Sequence, residues 1–252
     1  MTAGFKDHFS VRSDNYAEYR PTYPVELFQF LASVTEKHSV AWDCATGSGQ
    51  VALGLAVHFK KVIASDASPA QIAAALAHPQ VEYRVASAER SGLAAGSVDL
   101  LTVGQAYHWF DAAVFLTEAQ RVLSPSGVLA IWCYERCVVD PDIDVIVERL
   151  YNDIAGEYWP PERVLIEDGY ACIDLPGAPV AAPLFEMSLD WRVSDMLGYL
   201  RTWSACRRYE SEKGTDPVSM IEAVLHEAWG DGAKRVIWPL HIKASRANRL
   251  LE

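Results

Sequence analysis

Two carboxylates and two glycines in the first third of the chain have the residue types and spacing of a ligand site. Asp43 ends the apolar run Val40-Ala-Trp-Asp43, and Gly47 and Gly49 follow in Ala45-Thr-Gly-Ser-Gly49. Asp66 closes a second apolar run, Lys61-Val-Ile-Ala-Ser-Asp66. Glycine has no Cβ, so the backbone bends sharply there and a ligand can approach it closely. The apolar, helically spaced Val51 to Phe59 then starts a helix, whose first N–H groups face that ligand. An acid at the end of the second strand accepts both hydroxyls of a ribose. This strand, glycine turn and strand-end acid predict a nucleoside site.

Gly47-Ser-Gly-Gln-Val-Ala52 also fits the dinucleotide fingerprint G-x-G-x-x-(G/A). Asp43 separates the two readings. A dinucleotide sets its phosphates on the helix start, and an acid just before the turn repels them. A ligand with a free amino group is attracted instead. S-adenosylmethionine has that amino group, a sulfonium and a ribose, and no phosphate.

Further elements position these residues. Tyr23-Pro24 opens a helix through about Thr35, with Pro24 in its first turn. Ser68 caps a helix over 69–77, Val81 to Val85 is a third strand, and Ser97 to Gln105 a fourth, apolar enough for burial on both faces. A helix over 111–122, a Ser124-Pro-Ser-Gly127 turn and a fifth strand over 128–134 follow. Strand and helix alternate, which predicts a parallel sheet with helices on both sides. Residues 141–168 read as mainly helical, 171–183 as loop, and 184–191 as a strand. Ser194 is expected to cap a helix to about Ala205. A helix over 217–229 and a last strand over 235–243 complete the pattern, with Pro239 predicting an edge or bulged strand.

Composition bounds the function. The 252 residues carry a net charge of −11. Phosphate backbones need a basic face, so nucleic acid is not the expected partner. Five scattered cysteines, without His or Cys partners at zinc spacing, read as reduced thiols and predict no metal site. Met1 to Asp14 does not read as a signal peptide, and no apolar run approaches the ~20 residues of a membrane span. These features predict a soluble cytoplasmic protein acting on a small molecule, as a monomer or homodimer.

Asp43-Cys-Ala-Thr-Gly-Ser-Gly49 resembles the D-x-G-x-G-x-G motif of class I S-adenosylmethionine-dependent methyltransferases, with Ala45 where that family usually has glycine. Residues 9–134 as a whole resemble this family. Tyr16-Ala-Glu-Tyr-Arg-Pro-Thr-Tyr-Pro24, Gln105-Ala-Tyr-His-Trp-Phe-Asp111 and Arg121-Val-Leu-Ser-Pro-Ser-Gly127 are similar to its trans-aconitate methyltransferase-like small-molecule branch. The resemblance implies an α/β fold: a Rossmann-like, doubly wound, mostly parallel seven-stranded sheet, with an antiparallel last strand and a helical insertion before the sixth strand. It divides the chain into an N-terminal lid and helix (1–36), a cofactor-binding core (37–134), a helical substrate-side insertion (135–183) and C-terminal strands and helices (184–252).

The resemblance also implies roles. Asp43, Ala45, Thr46, Gly47 and Gly49 would hold the methionine part of S-adenosyl-L-methionine, and Asp66 the ribose. Ala67, Ser87 and Ala88 would meet the adenine, although the family often has Asp at position 87. Gln105 would lie near the methyl group, and Tyr16 would close over the cofactor. His108, Trp109, Tyr19 and Arg20 are the candidate catalytic residues. His108 can take a proton from a hydroxyl or amine; a carboxylate acceptor needs no base, and His108 or Arg20 would then orient it. Two other functions are compatible with parts of the pattern, a non-enzymatic S-adenosylmethionine-binding module and a nicotinamide-dependent oxidoreductase. Arg201, Trp203, Arg207, Arg208 and Tyr209 form a second candidate cluster, for an anionic substrate. Trp132 and Tyr134 are candidate pocket-lining aromatics.

Overall fold

The computed structural model describes residues 21–248. A first helix, α1 (Val25–Ser33), precedes β1 (Val40–Cys44), α2 (Gln50–Ala56), β2 (Lys61–Asp66), α3 (Pro69–Ala73) and β3 (Val81–Val85). Then come β4 (Val98–Gly104), a 3₁₀ turn over Tyr107–Trp109, α4 (Ala112–Val122) and β5 (Leu123–Tyr134). The second half holds α5 (Pro141–Arg149), a π turn and two 3₁₀ turns up to Arg163, and α6 (Val164–Glu167). It continues with β6 (Ala178–Val180), β7 (Phe185–Trp191), α7 (Val193–Arg201), α8 (Ser204–Lys213), α9 (Ser219–Trp229) and β8 (Lys234–Arg246).

The sheet order is β3-β2-β1-β4-β5-β8, with β6 and β7 sharing the far edge of β8. The first five strands are parallel, and β8 runs antiparallel to β5. This is the expected Rossmann-like sheet, extended by the three-residue β6 in the stretch that reads as loop. One apolar layer packs α1 and α2 with Trp132, Trp191, Trp238 and Tyr199; the other packs Phe115 of α4 with Trp42, Tyr107 and Tyr170. Gly54 lets α2 meet α1, because a Cβ there would stand 2.3 Å from the Phe28 ring. Among the described residues no helix is long and apolar enough to cross a membrane.

Several elements differ from their sequence pattern, each for a physical reason. Pro24 is the N-cap of α1 rather than a first-turn residue, with an extended ψ of 148°. The α3 helix ends at Ala73, although Ser68 does accept the Gln71 N–H as its cap. Residues 124–127 bulge out inside one long strand, since Val98 pairs Leu123 while Leu100 already pairs Val128. The cap of α7 is Arg192, whose N–H bonds Asp195 Oδ2 at 2.8 Å, not Ser194. That helix breaks at Thr202-Trp203 because Trp203 turns extended and buries its ring against Tyr151, Trp159 and Tyr199.

Pro239 lies in an interior strand, not at an edge. Its position explains the tolerance. Pairing to β5 stops at Tyr134 opposite Leu240, and Ile237 bonds Val138 on the same side. Residues two apart in a strand point their N–H groups the same way. The N–H that Pro239 lacks would therefore point into the gap between Tyr134 and Val138.

Candidate active site

Parallel pairing gathers the predicted residues on one edge of the sheet. Asp43 is in register with Ala64 and Thr102, Cys44 with Ser65, and Asp66 with Val85. The carboxyl ends of β1, β2, β3 and β4 therefore share one rim, where open α/β sheets bind ligands. Asp43, the glycine turn, Asp66, Ser87, Ala88, Gln105 and His108 all lie on that rim or just beyond it.

The turn after β1 is built from left-handed residues. Ala45 has φ +56°, Gly47 +57° and Gly49 +91°. Alanine thus takes the backbone that the family's glycine would take more cheaply. Most of the turn's amides are already spoken for. Thr46 N–H bonds Ser65 O, Gly49 N–H bonds Thr46 O, and Gly47 N–H bonds Asp66 Oδ2 at 2.9 Å.

Asp43 lies beneath this turn and is only 1% exposed. Thr46 Oγ1 donates to its Oδ2 and Thr102 Oγ1 to its Oδ1, the latter at 3.0 Å. The amide of Ala52, in the first turn of α2, also reaches this carboxylate. Burial dominates these bonds and pushes the carboxyl up to about 7. An acid thus lies beneath the helix start, and once ionised, above about pH 7, it would repel a pyrophosphate bound there. This geometry disfavours the dinucleotide and fits a ligand whose nearest group is a cation.

Asp66 joins the turn to the end of β2. Its Oδ2 accepts from Gly47 and its Oδ1 from Ser68 N–H at 2.8 Å. These bonds fix the carboxylate at the strand end, where an acid can meet a ribose diol. Ala67 beside it is half-buried, Ala88 is buried and Ser87 is exposed, in a turn closed by a bridge to Arg90. Glu89 of this turn accepts the Asp111 N–H at 3.3 Å, linking the loop after β3 to the cap of α4. The sequence pattern did not single out Glu89.

Gln105, φ +55°, turns its side-chain amide to the end of β5. Its Nε2 donates to Tyr134 O at 3.1 Å and its Oε1 accepts Tyr134 N–H at 2.8 Å. The amide thus adds a rung beyond the last paired residues of β4 and β5. Gly104 just before it leaves room for the Trp132 indole, which a Cβ would meet at 3.0 Å. Trp132 itself is fully buried in the core.

His108 does not cap α4; Asp111 does, accepting the Val114 N–H. The imidazole is buried, 7% exposed, with Trp109 at 4.7 Å between ring centroids. Its Nδ1 lies 2.8 Å from the hydroxyl of Tyr170. Burial first, and the Arg163 charge second, lower His108 to about 3. It is neutral at physiological pH and a weak base.

Arg163 and Tyr170 come from the insertion and were not among the sequence-predicted residues. Arg163 Nε donates to the Tyr151 hydroxyl at 2.8 Å, and its guanidinium lies 4.6 Å from the Trp159 ring centroid. Its two terminal nitrogens have no bond to a described residue. The Tyr151 hydroxyl in turn donates to Glu167. Arg163, Tyr151, Trp159, Asn152 and Glu167 line a cleft of about 400 Å³.

Tyr16, Tyr19 and Arg20 lie outside the described residues. The chain enters the described fold beside the glycine turn, where Gln50 Nε2 donates to Pro21 O at 3.3 Å. Several members of the Arg201 cluster are committed to other partners. Arg201 is held by Asp216 at 2.7 Å and Glu222 at 2.8 Å, Trp203 is buried, and Arg208 bonds Tyr158 O.

Known proteins resemble this chain. A family model described as a methyltransferase domain matches residues 42–131. A Dictyostelium discoideum protein named as a methyltransferase is 36% identical over 239 residues, spanning 92% of this chain and 91% of its own. A solved structure of a type II methyltransferase from Anaeromyxobacter dehalogenans is 43% identical, with a TM-score of 0.85 over 90% of this chain and 98% of that one. A methyltransferase structure from Anabaena variabilis, 18% identical at TM-score 0.54 over 87% and 98% of the two chains, shares the fold.

Proposed function

The chain belongs to the class I S-adenosylmethionine-dependent methyltransferases, and from that premise we propose that it methylates a carboxylate oxygen of a small anionic molecule. The observation that carries this reading is the pairing of a neutral, weakly basic His108 with a partly uncommitted Arg163 beside it. A hydroxyl or amine acceptor needs a base to remove its proton, and a histidine lowered to about 3 serves poorly. A carboxylate is already the nucleophile. It needs a cation to hold it while one oxygen attacks through a remaining lone pair, and guanidinium matches carboxylate geometry with two parallel N–H bonds.

S-adenosylmethionine supplies the electrophile, a methyl on a positive sulfur, and leaves as S-adenosylhomocysteine. The chain's work is to bind, align and exclude water. Asp43 would offer its charge to the ligand's ammonium through the glycine turn. Asp66, at the end of β2, would accept the ribose hydroxyls, while Ala67, Ser87 and Ala88 would border the adenine. Gln105 would act indirectly, by holding the ends of β4 and β5 together. Trp109 would border the ligands, and Tyr16, Tyr19 and Arg20, which lie outside the described residues, are the expected further contributors. The expected setting is cytoplasmic, with the protein as a monomer or homodimer.

The test is turnover to S-adenosylhomocysteine across matched carboxylates, phenols and amines, with methyl esters read by mass spectrometry. Esters are expected from the carboxylates. Arg163→Met should raise the KM for such an acceptor at least tenfold, about 1.4 kcal/mol or more, with little change in kcat. Methylation confined to phenols or amines would contradict the reading.

A further inference from the structure

We propose that Tyr170 is a positioning residue that fixes the proton of His108 on Nε2 and so makes the histidine a hydrogen-bond donor. Tyr170 is fully buried, yet its hydroxyl must find an acceptor. Within the described residues the one acceptor its hydroxyl meets is His108 Nδ1, at 2.8 Å. If Nδ1 carried the proton, the phenol hydrogen would be buried without a partner. The phenol proton therefore points to Nδ1, and a neutral imidazole then carries its own on Nε2. That Nε2 bonds no described residue and is not among the sealed, unpaired atoms of the interior.

The loop that presents Tyr170 is held in place from several sides. Gly169 and Tyr170 are both left-handed, at φ +56° and +59°. A tyrosine takes that backbone only where its surroundings impose it. Lys243 Nζ donates to Ala171 O and Ile173 O, each at 2.6 Å, and Asp168 Oδ2 accepts the Cys172 N–H at 2.9 Å. Gly169 faces the His241 ring, which a Cβ would meet at 2.8 Å and which pairs with Glu135. Around the dyad itself stand Tyr107, Cys133 and the charged Arg163. Arg163 and a donor Nε2–H would present two like-signed groups to an anion. That last step rests on the carboxylate reading above; the tautomer does not.

The experiment is long-range ¹⁵N–¹H NMR of histidine-labelled protein, with His108 assigned by its loss in His108→Gln. The wild type should show the Nε2–H tautomer from pH 5.5 to 8.5, without titrating. Tyr170→Phe keeps the ring and removes the hydroxyl. It should give a mixture of tautomers and a titration midpoint moved up. For any carboxylate substrate the variant should lose at least fivefold in KM, with kcat less affected. An Nδ1–H tautomer in the wild type would overturn the proposal, as would an unchanged tautomer in Tyr170→Phe. If the phenylalanine variant does not fold, the wild-type spectrum decides alone. If no carboxylate is a substrate but the spectra are as expected, the acceptor reading fails and the tautomer stands.

Discussion

Replacing Asp43 by Asn should lower affinity for S-adenosylmethionine roughly 100-fold, about 2–3 kcal/mol, the scale of a buried hydrogen bond to a charged group. The side chain is nearly isosteric, so Thr46, Thr102 and Ala52 keep a partner of similar shape. The charge is removed, and one oxygen becomes an NH₂, so one threonine hydroxyl must turn from donor to acceptor. The ligand-free protein should respond in the opposite sense. Asp43 is raised from 3.8 to about 7, so the native state binds more protons than the unfolded chain between those values. Its contribution to stability is fully present below pH 3.8 and is lost as pH rises through about 7. Asp43→Asn should therefore melt no lower than wild type at pH 8, while binding the cofactor far more weakly. Titration calorimetry and thermal melts read the two effects. A variant that binds normally would remove Asp43 from cofactor selection.

Gly49→Ala should destabilise the fold by about 2–4 kcal/mol, combining left-handed strain with overpacking. The N-cap of α2 has φ +91°, and the new Cβ would stand 2.4 Å from the Tyr83 hydroxyl and 2.9 Å from its ring. Tyr83 can retreat only by giving up its bond to Leu76 O. Removing the clash with Tyr83→Ala in the same chain should recover part of the loss, leaving the backbone strain. Gly47→Ala is the comparison. It has φ +57°, but its nearest neighbour is Gln71 at 3.8 Å, so it should cost less. Equal unfolding free energies for the two alanine variants would contradict the packing argument.

The strand–turn–helix geometry of the candidate cofactor side was legible because these elements are consecutive in the chain. Asp43, Gly47, Gly49 and Asp66 are local features, and parallel pairing brings their strand ends together without further information. The acceptor half was not. His108 and Tyr170 meet across 62 residues, and nothing in the sequence marks a tyrosine for left-handed backbone. Arg163 looked no different from Arg201 in composition. What separates them is that Arg201 meets Asp216 and Glu222 while Arg163 meets tyrosine and tryptophan rings. Gln105 was placed correctly at the strand end, but hydrogen bonds to a backbone 29 residues away turned its amide inward. Pro239 misled because its cost depends on where β5 stops, which only the register reveals.

The central claim is that a buried carboxylate ahead of the glycine turn selects a phosphate-free adenosyl cation. Titration calorimetry of S-adenosylmethionine and NADH, in buffers of different ionisation enthalpy, tests it most directly. A ligand that needs ionised Asp43 draws off its proton, so S-adenosylmethionine should bind roughly tenfold more weakly at pH 6 than at pH 8. It should release close to one proton at the lower pH, and NADH should give no heat. Binding of NADH at comparable affinity, or of S-adenosylmethionine without proton release, would contradict it.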